Sequence, residues 1–349
     1  MSRPRSLLVD DAAFDRHVPL AYHPERPERL TAARAAVEAA DVDWQKVASR
    51  EVTPEIVNRV HDARFVDELV ALRGQSAMVD PDTYVNEHSV DAALRAAGGV
   101  AAMVDAMLHG PVSTGVALLR PPGHHARRAA AMGFCLLNNV AIAAAHARAS
   151  GLSRVAIVDF DVHHGNGTQE IFYDDPGVLY ISAHQWPFYP GSGAANEVGT
   201  AEGTGFTVNL PLSAGGGDAV YRGAFERVVA PVLEQYAPEL VLVSAGFDAS
   251  ARDPLAEMRL SPQAFGFMAE VLGTQARRSA SGRIALVLEG GYDLTAIEQG
   301  LAEAIRGMLG TATFSLPARA SIPPGLAVPP NEADLARAAK FAARTWKLA

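Results

Sequence analysis

An α/β fold, built on a parallel sheet with helices on both faces, is the class this sequence predicts. Short apolar runs rich in β-branched residues recur at 6–9, 115–119, 155–158, 178–182, 206–210, 240–244 and 284–288. That is how strands buried on both faces read. Alanine-rich, helix-compatible segments at 91–108, 139–149, 219–235, 262–278 and 294–309 lie between most of them, and this alternation is the mark of a parallel sheet. Long polar connections follow the strands at 120–133, 184–205 and 248–260. Loops of that length in a compact fold carry function or move.

The chain of 349 residues is 49% hydrophobic and 20% charged, enough apolar material for a large core and too much for wholesale disorder. No Pro/Ser-rich linker and no internal repeat divides it, so one domain is expected over 1–315. Residues 316–349 read as a C-terminal extension packed on that domain, a proline-rich stretch at 317–330 followed by a helix-compatible segment at 332–346. The net charge of −9 argues against a nucleic-acid-binding surface. A single cysteine, Cys135, excludes an intramolecular disulfide and a thiolate-rich metal cluster. The N-terminal apolar segment is too short for a secretion signal. The most apolar region, 129–145, is interrupted by Asn138 and Asn139 and falls short of a spanning helix. These features read as a soluble, reduced, cytoplasmic protein with no membrane or nucleic-acid partner; a homo-oligomer is left open.

The chemistry gathers where strands run out. After the apolar run 155–158 come Asp159, Asp161, His163 and His164 within six residues, closing on Gly165-Asn166-Gly167. Asp161 and His163, two apart, would face one way on a strand with Asp159 in the same alternation. That suits a metal held by a carboxylate and an imidazole with another carboxylate behind them. A metal-free hydrogen-bond cluster is the competing reading. His124 and His125 follow a second strand in a loop stiffened by Pro121, Pro122 and Gly123; ligands, a proton-transfer pair and a plain polar loop are all open there. Asp248 ends a third strand, and Glu289-Gly290-Gly291-Tyr292-Asp293 a fourth. A lone tyrosine after a strand is ordinarily packing, but four strands ending in complementary polar groups describe metal-assisted hydrolysis of a carbonyl compound. Carboxylates and one histidine would hold the ion, histidines would move protons and a tyrosine would hold an oxyanion.

At this point the sequence resembles a known family. Arg120-Pro121-Pro122-Gly123-His124-His125, Gly133-Phe134-Cys135-Leu136-Leu137-Asn138-Asn139, Asp159-Phe160-Asp161-Val162-His163-His164-Gly165-Asn166-Gly167, Ser244-Ala245-Gly246-Phe247-Asp248 and Glu289-Gly290-Gly291-Tyr292 look like the histone deacetylase and acetylpolyamine amidohydrolase family. They occur in the family's order over about 15–310. His23-Pro24-Glu25-Arg26-Pro27-Glu28-Arg29-Leu30 resembles its N-terminal signature. The Gly246-Phe247-Asp248 and Asn166 forms look like the class II branch and its bacterial relatives.

The resemblance implies the arginase-deacetylase fold and zinc on Asp161, His163 and Asp248, with iron(II) or cobalt as other occupants of such a donor set. It implies His124 supported by Asp159, and His125 supported by Asn166 and acting as general base and acid on metal-activated water. Tyr292 would be the oxyanion donor. Gly133, Phe134, Tyr189 and Leu255 would line a narrow channel for an acylated amine, with Asp82 as a rim carboxylate. Structural potassium would sit near Asp159, Asp161, His163 and Ser182, and a second ion near Phe172. His164, alternating to the opposite side, is expected to be structural.

Polyamine-selective members of the branch carry a glutamate in the loop after the third metal ligand. Here that position is Leu255, and Glu257 falls two residues late, which favours acyl-lysine or another acylated amine over acetylpolyamine. An arginase-type binuclear manganese hydrolase would want further aspartates where His164 and Gly165 stand. A non-catalytic acyl-lysine reader would have lost a ligand, a histidine or Tyr292, and none is missing.

Overall fold

The computed structural model describes residues 3–317 and 329–348. Its main sheet has eight strands, all parallel, in the order β2-β1-β5-β10-β9-β6-β7-β8. They are β1 (Arg5–Val9), β2 (Asp43–Lys46), β5 (Thr114–Ala117), β6 (Val155–Asp159), β7 (Val178–Gln185), β8 (Thr207–Leu212), β9 (Leu240–Ala245) and β10 (Ile284–Leu288). A separate antiparallel pair, β3 (Ala77–Asp80) and β4 (Thr83–Val85), lies outside that sheet.

Every residue of β6, β9 and β10 is buried, so these strands carry no apolar–polar alternation and read in the sequence as continuous runs. Each buried Val, Ile or Leu contributes roughly 1.5–3 kcal/mol through the water it sheds. Helix Leu294–Leu309 packs against both Pro262–Ser279 and Glu28–Ala39, and Ser89–His109 packs against Asn139–Ala149. The helix expected over 219–235 is one run in three parts: Asp218–Ala224, a π-helical turn Phe225–Val229, and Ala230–Tyr236. Pro231 accounts for the irregular turn, since it has no N–H to give the carbonyl of Arg227.

The last helix, Pro330–Ala342, lies against β8. Asp334 accepts from the N–H and hydroxyl of Ser213 at 3.1 and 2.5 Å, and Trp346 Nε1 donates to the carbonyl of Gly205 at 2.9 Å. Most of the proline-rich stretch 317–330 falls outside the described residues. Among the described residues no helix is long and apolar enough to cross a membrane.

Candidate active site

The chain runs outward from β6 through β7 to β8, then returns to β9 and β10 in the middle of the sheet. Strand order therefore reverses at the centre, and the crevice beyond the carboxyl ends of such strands is where open α/β sheets bind ligands. The loops after β5, β6, β9 and β10 converge there, bringing His124, His125, Asp161, His163, Asp248 and Tyr292 into one neighbourhood.

The structure corrects the period-two argument for Asp161 and His163. Strand β6 ends at Asp159, so the two residues lie in the turn beyond it and share no strand face. Hydrogen bonds to backbone N–H groups aim them instead. Asp161 Oδ1 accepts from His163 N at 2.9 Å and Asp161 Oδ2 from Gly290 N at 2.8 Å, while Asp248 Oδ1 accepts from Val162 N at 2.8 Å. His163 Nδ1 then stands 3.2 Å from both Asp161 Oδ1 and Asp248 Oδ2.

One ligand atom from each of Asp161, His163 and Asp248 lies within 4.8 Å of the others. Two buried carboxylates and one imidazole at that spacing suit a divalent ion with positions left open. Glycines make the cradle: a Cβ on Gly246 would meet Asp161 Oδ2 at 2.0 Å, and one on Gly290 would meet Asp248 Oδ2 at 2.2 Å. The electrostatics agree. Burial alone would lower the His163 pKa, but its bonds to Asp161 and Asp248 raise it to about 10. Burial and the neighbouring charge of Asp161 push Asp248 upward. These groups face more negative charge than imidazole alone balances, and a cation would relieve it.

His124 Nδ1 donates to Asp159 Oδ2 at 3.0 Å, and His125 Nδ1 donates to Asn166 Oδ1 at 2.8 Å. The two rings sit 4.0 Å apart between centroids, yet their protonation diverges. Burial would lower His124, but Asp161 and Asp159 outweigh it and raise it to about 10. Burial, with His124 and His163 as like-charged neighbours, holds His125 well below the usual imidazole range. Two adjacent groups with pKa values driven apart are arranged for different proton tasks.

A narrow cavity of about 90 Å³ opens onto these groups, lined by Asp82, His125, Gly133, Phe134, His163, Tyr189, Leu255 and Tyr292. Gly133 and Phe134 both adopt positive φ, 57° and 69°. A Cβ at Gly133 would lie 2.6 Å from the His125 ring, so only glycine lets the wall approach that closely. Burial raises the Tyr292 phenol well above its ordinary range, so its hydroxyl stays a donor. Asp82 stands half-buried at the rim, its Oδ1 accepting from Thr83 Oγ1 at 3.0 Å.

Ser182 lies in register with Asp159 on the adjacent strand, and its hydroxyl bonds His184 Nδ1 at 2.9 Å. Phe172, buried, caps the short helix Asn166–Ile171, and its carbonyl accepts from Asp175 N at 3.1 Å. His164 is buried with both ring nitrogens engaged, to Ser192 Oγ at 2.8 Å and Gln169 Oε1 at 3.0 Å.

Several residues around the site drew no role from the sequence. Glu289, fully buried, accepts from Gly123 N at 2.6 Å and His124 N at 3.1 Å, and burial raises it to about 7. Arg29 donates to the carbonyls of Gly291, at 2.6 Å, and Glu289. Glu25 ion-pairs with both Arg29 and Arg120, and all three are fully buried. Asp253 accepts from the backbone of Tyr292. The available signal was position: each stands in or beside a segment quoted above, but backbone partners cannot be read from residue type.

The histone deacetylase domain model matches residues 23–308. The chain is 44% identical to histone deacetylase 15 of Arabidopsis thaliana, over 82% of this chain and 53% of that protein. It is 42% identical to the polyamine deacetylase HDAC10 of Homo sapiens, over 82% of this chain and 44% of that one. It thus spans about half the length of these curated relatives. The crystal structure of the HDA15 HD domain superposes with a TM-score of 0.88 at 38% identity, covering 99% of this chain and 96% of that one. The parallel sheet with flanking helices is therefore that of a histone deacetylase domain, the single-domain arginase-deacetylase fold. With that domain spanning most of its length, and relatives this similar on either side, the chain belongs to the histone deacetylase family.

Proposed function

We propose that the protein is a zinc-dependent amidohydrolase that removes acetyl or another short acyl group from an acylated amine, with acyl-lysine as the favoured substrate. The observation that carries this reading is the narrow cavity, onto which the ligand His163, the low-pKa His125 and the hydroxyl donor Tyr292 all open. Asp161, His163 and Asp248 would hold the ion; iron(II) or cobalt would also suit them. The ion would supply Lewis acidity, polarising an acyl carbonyl and making water more acidic.

The remaining steps belong to the protein. Asn166 fixes the His125 tautomer with Nδ1 protonated, which leaves Nε2 to take a proton from the attacking water. Protonated His125 then passes that proton to the leaving amine. Tyr292 donates its hydroxyl to the developing oxyanion. His124, bonded to Asp159 through Nδ1, packs beside His125 and holds that ring in place. Gly133, Phe134, Tyr189 and Leu255 form a slot that admits an extended methylene chain and excludes water. Asp82 at the rim would accept hydrogen bonds from the substrate backbone. Structural potassium is proposed near Asp159, Asp161, His163 and Ser182, and near Phe172. The catalytic unit is taken as 1–315, with 316–349 as its extension.

Polyamine deacetylation is the second reading, favoured by the likeness to HDAC10. Leu255 supports the first: it lines the cavity where a cationic chain would want a carboxylate, and the exposed Glu257 does not line it. Comparing kcat/KM for acetyl-lysine peptides, trifluoroacetyl-lysine, N-acetylputrescine and N8-acetylspermidine decides between them. Preference for the lysine substrates is expected. Preference for the polyamines would move the assignment to the second reading, and no turnover of any would overturn both.

A further inference from the structure

The oxyanion donor assigned above sits on a turn, and a turn has to be held for a hydroxyl to be useful. Arg29 grips one side of it through the carbonyls of Glu289 and Gly291. The other side is gripped by a carboxylate on a different loop. Asp253 is 7% exposed, and its oxygens are taken up by backbone donors. Oδ2 accepts from Tyr292 N at 2.6 Å and from Asp293 N at 3.2 Å, and Oδ1 accepts from Leu255 N at 3.0 Å. Three backbone N–H groups bonded to one buried side chain fix the segments they come from, because leaving any of them unpaired there is costly. Asp253 lies five residues after the ligand Asp248 and two before Leu255 in the cavity wall. One side chain thus joins the metal-ligand loop, the channel wall and the tyrosine turn.

We propose that Asp253 is a positioning residue for the reaction: by holding the N–H of Tyr292 it fixes where the tyrosine hydroxyl meets the substrate, and by holding the N–H of Leu255 it sets the wall facing it. This rests on the deacetylase reading above. The alternative is that Asp253 only ties down the start of helix Leu294–Leu309, which already has its own cap: Asp293 accepts from Ala296 N at 2.8 Å.

A double-mutant cycle separates the two, because coupled residues are non-additive. Asp253→Ala should lower kcat by about 10–100-fold with KM changed less than about threefold and metal content unaltered, a misplacement effect. In a Tyr292→Phe background the same substitution should lower the residual kcat by less than about threefold, since the hydroxyl it positions is gone. Equal losses in both backgrounds would overturn the proposal. Should Asp253→Ala not fold, Asp253→Ser runs the same cycle: it keeps a polar group in the site, but its shorter side chain does not reach the N–H groups of Tyr292 and Asp293. Amide hydrogen exchange over 289–294 gives a readout independent of turnover. Exchange at Tyr292 and Asp293 should accelerate in either variant, and unchanged exchange sinks the anchor even if no acylated amine proves to be a substrate. Failure of the wild type to hydrolyse anything, with accelerated exchange in the variants, would instead count against the deacetylase reading alone.

Discussion

A base working near neutral pH must be largely unprotonated in the resting enzyme and still able to take a proton. His125, the proposed base, meets the first condition through burial and two neighbouring imidazoles, and the second through Asn166, which spends Nδ1 and frees Nε2. Its proposed partner in the chemistry, Tyr292, would contribute one hydroxyl. Tyr292→Phe removes that donor while leaving the ring against Phe134, whose centroid is 5.8 Å away. Turnover should fall by about 10²–10³, the usual cost of one oxyanion donor, with one equivalent of metal retained; near-normal kcat would remove Tyr292 from its role. Asp161→Ala does the converse. It deletes a proposed ligand that His163 N and Gly290 N both help to aim, so elemental analysis of the purified variant should find little bound metal. A full equivalent there would show that the ion is held elsewhere.

Between single residues and the whole sheet stand the loops, and here glycine decides what fits. Gly290 is not a ligand, yet a methyl group on it would meet Asp248 Oδ2 at 2.2 Å and Asp161 Oδ2 at 2.5 Å. Gly290→Ala should therefore push both carboxylates aside and weaken metal affinity by about 10–100-fold, the range for groups that orient ligands. Competition with a chelator measures it; affinity within about twofold of wild type would show that the cradle yields. The same scale explains what could be read in advance. Strands β5, β6, β9 and β10 were legible because each is an apolar run that gives way to polar groups, and the proposed ligands lie in the turns just beyond β6 and β9. Strand β2, with its polar Asp43-Trp44-Gln45-Lys46, was not: it is an edge strand, mostly exposed, paired on one side only. Glu289 and Asp253 were also missed, since they bond backbone N–H groups that every residue but proline carries.

Taken whole, the molecule buries histidines at a distance from the candidate metal ligands as well as among them, and these set how its stability responds to acid. His61 is 1% exposed; its Nδ1 donates to the carbonyl of Arg127 at 2.9 Å and its Nε2 accepts from Asn138 N at 2.9 Å. Only the neutral ring can do both, and it thereby ties the end of the His124–His125 loop to Asn138, which caps helix Asn139–Ala149. Burial lowers its pKa from 6.5 to about 4, and burial lowers His184 to about 4 as well. With the folded value below the unfolded one, the unfolded chain binds protons first as pH falls. Stability is therefore fully present above pH 6.5, declines from there down to about 4, and has lost this contribution below that. At roughly 1.36 kcal/mol per unit, each imidazole accounts for about 3 kcal/mol over the window. His61→Gln tests this at one site, because a glutamine amide offers one donor and one acceptor but does not titrate. In urea unfolding at pH 7.5 and 4.5, the variant should lose about 2–3 kcal/mol less than the wild type between the two pH values. Identical losses would mean that His61 is not held neutral in the folded protein, and that the acid sensitivity lies with carboxylates such as Glu25, which, against its burial, Arg120 and a bond from His17 hold ionised.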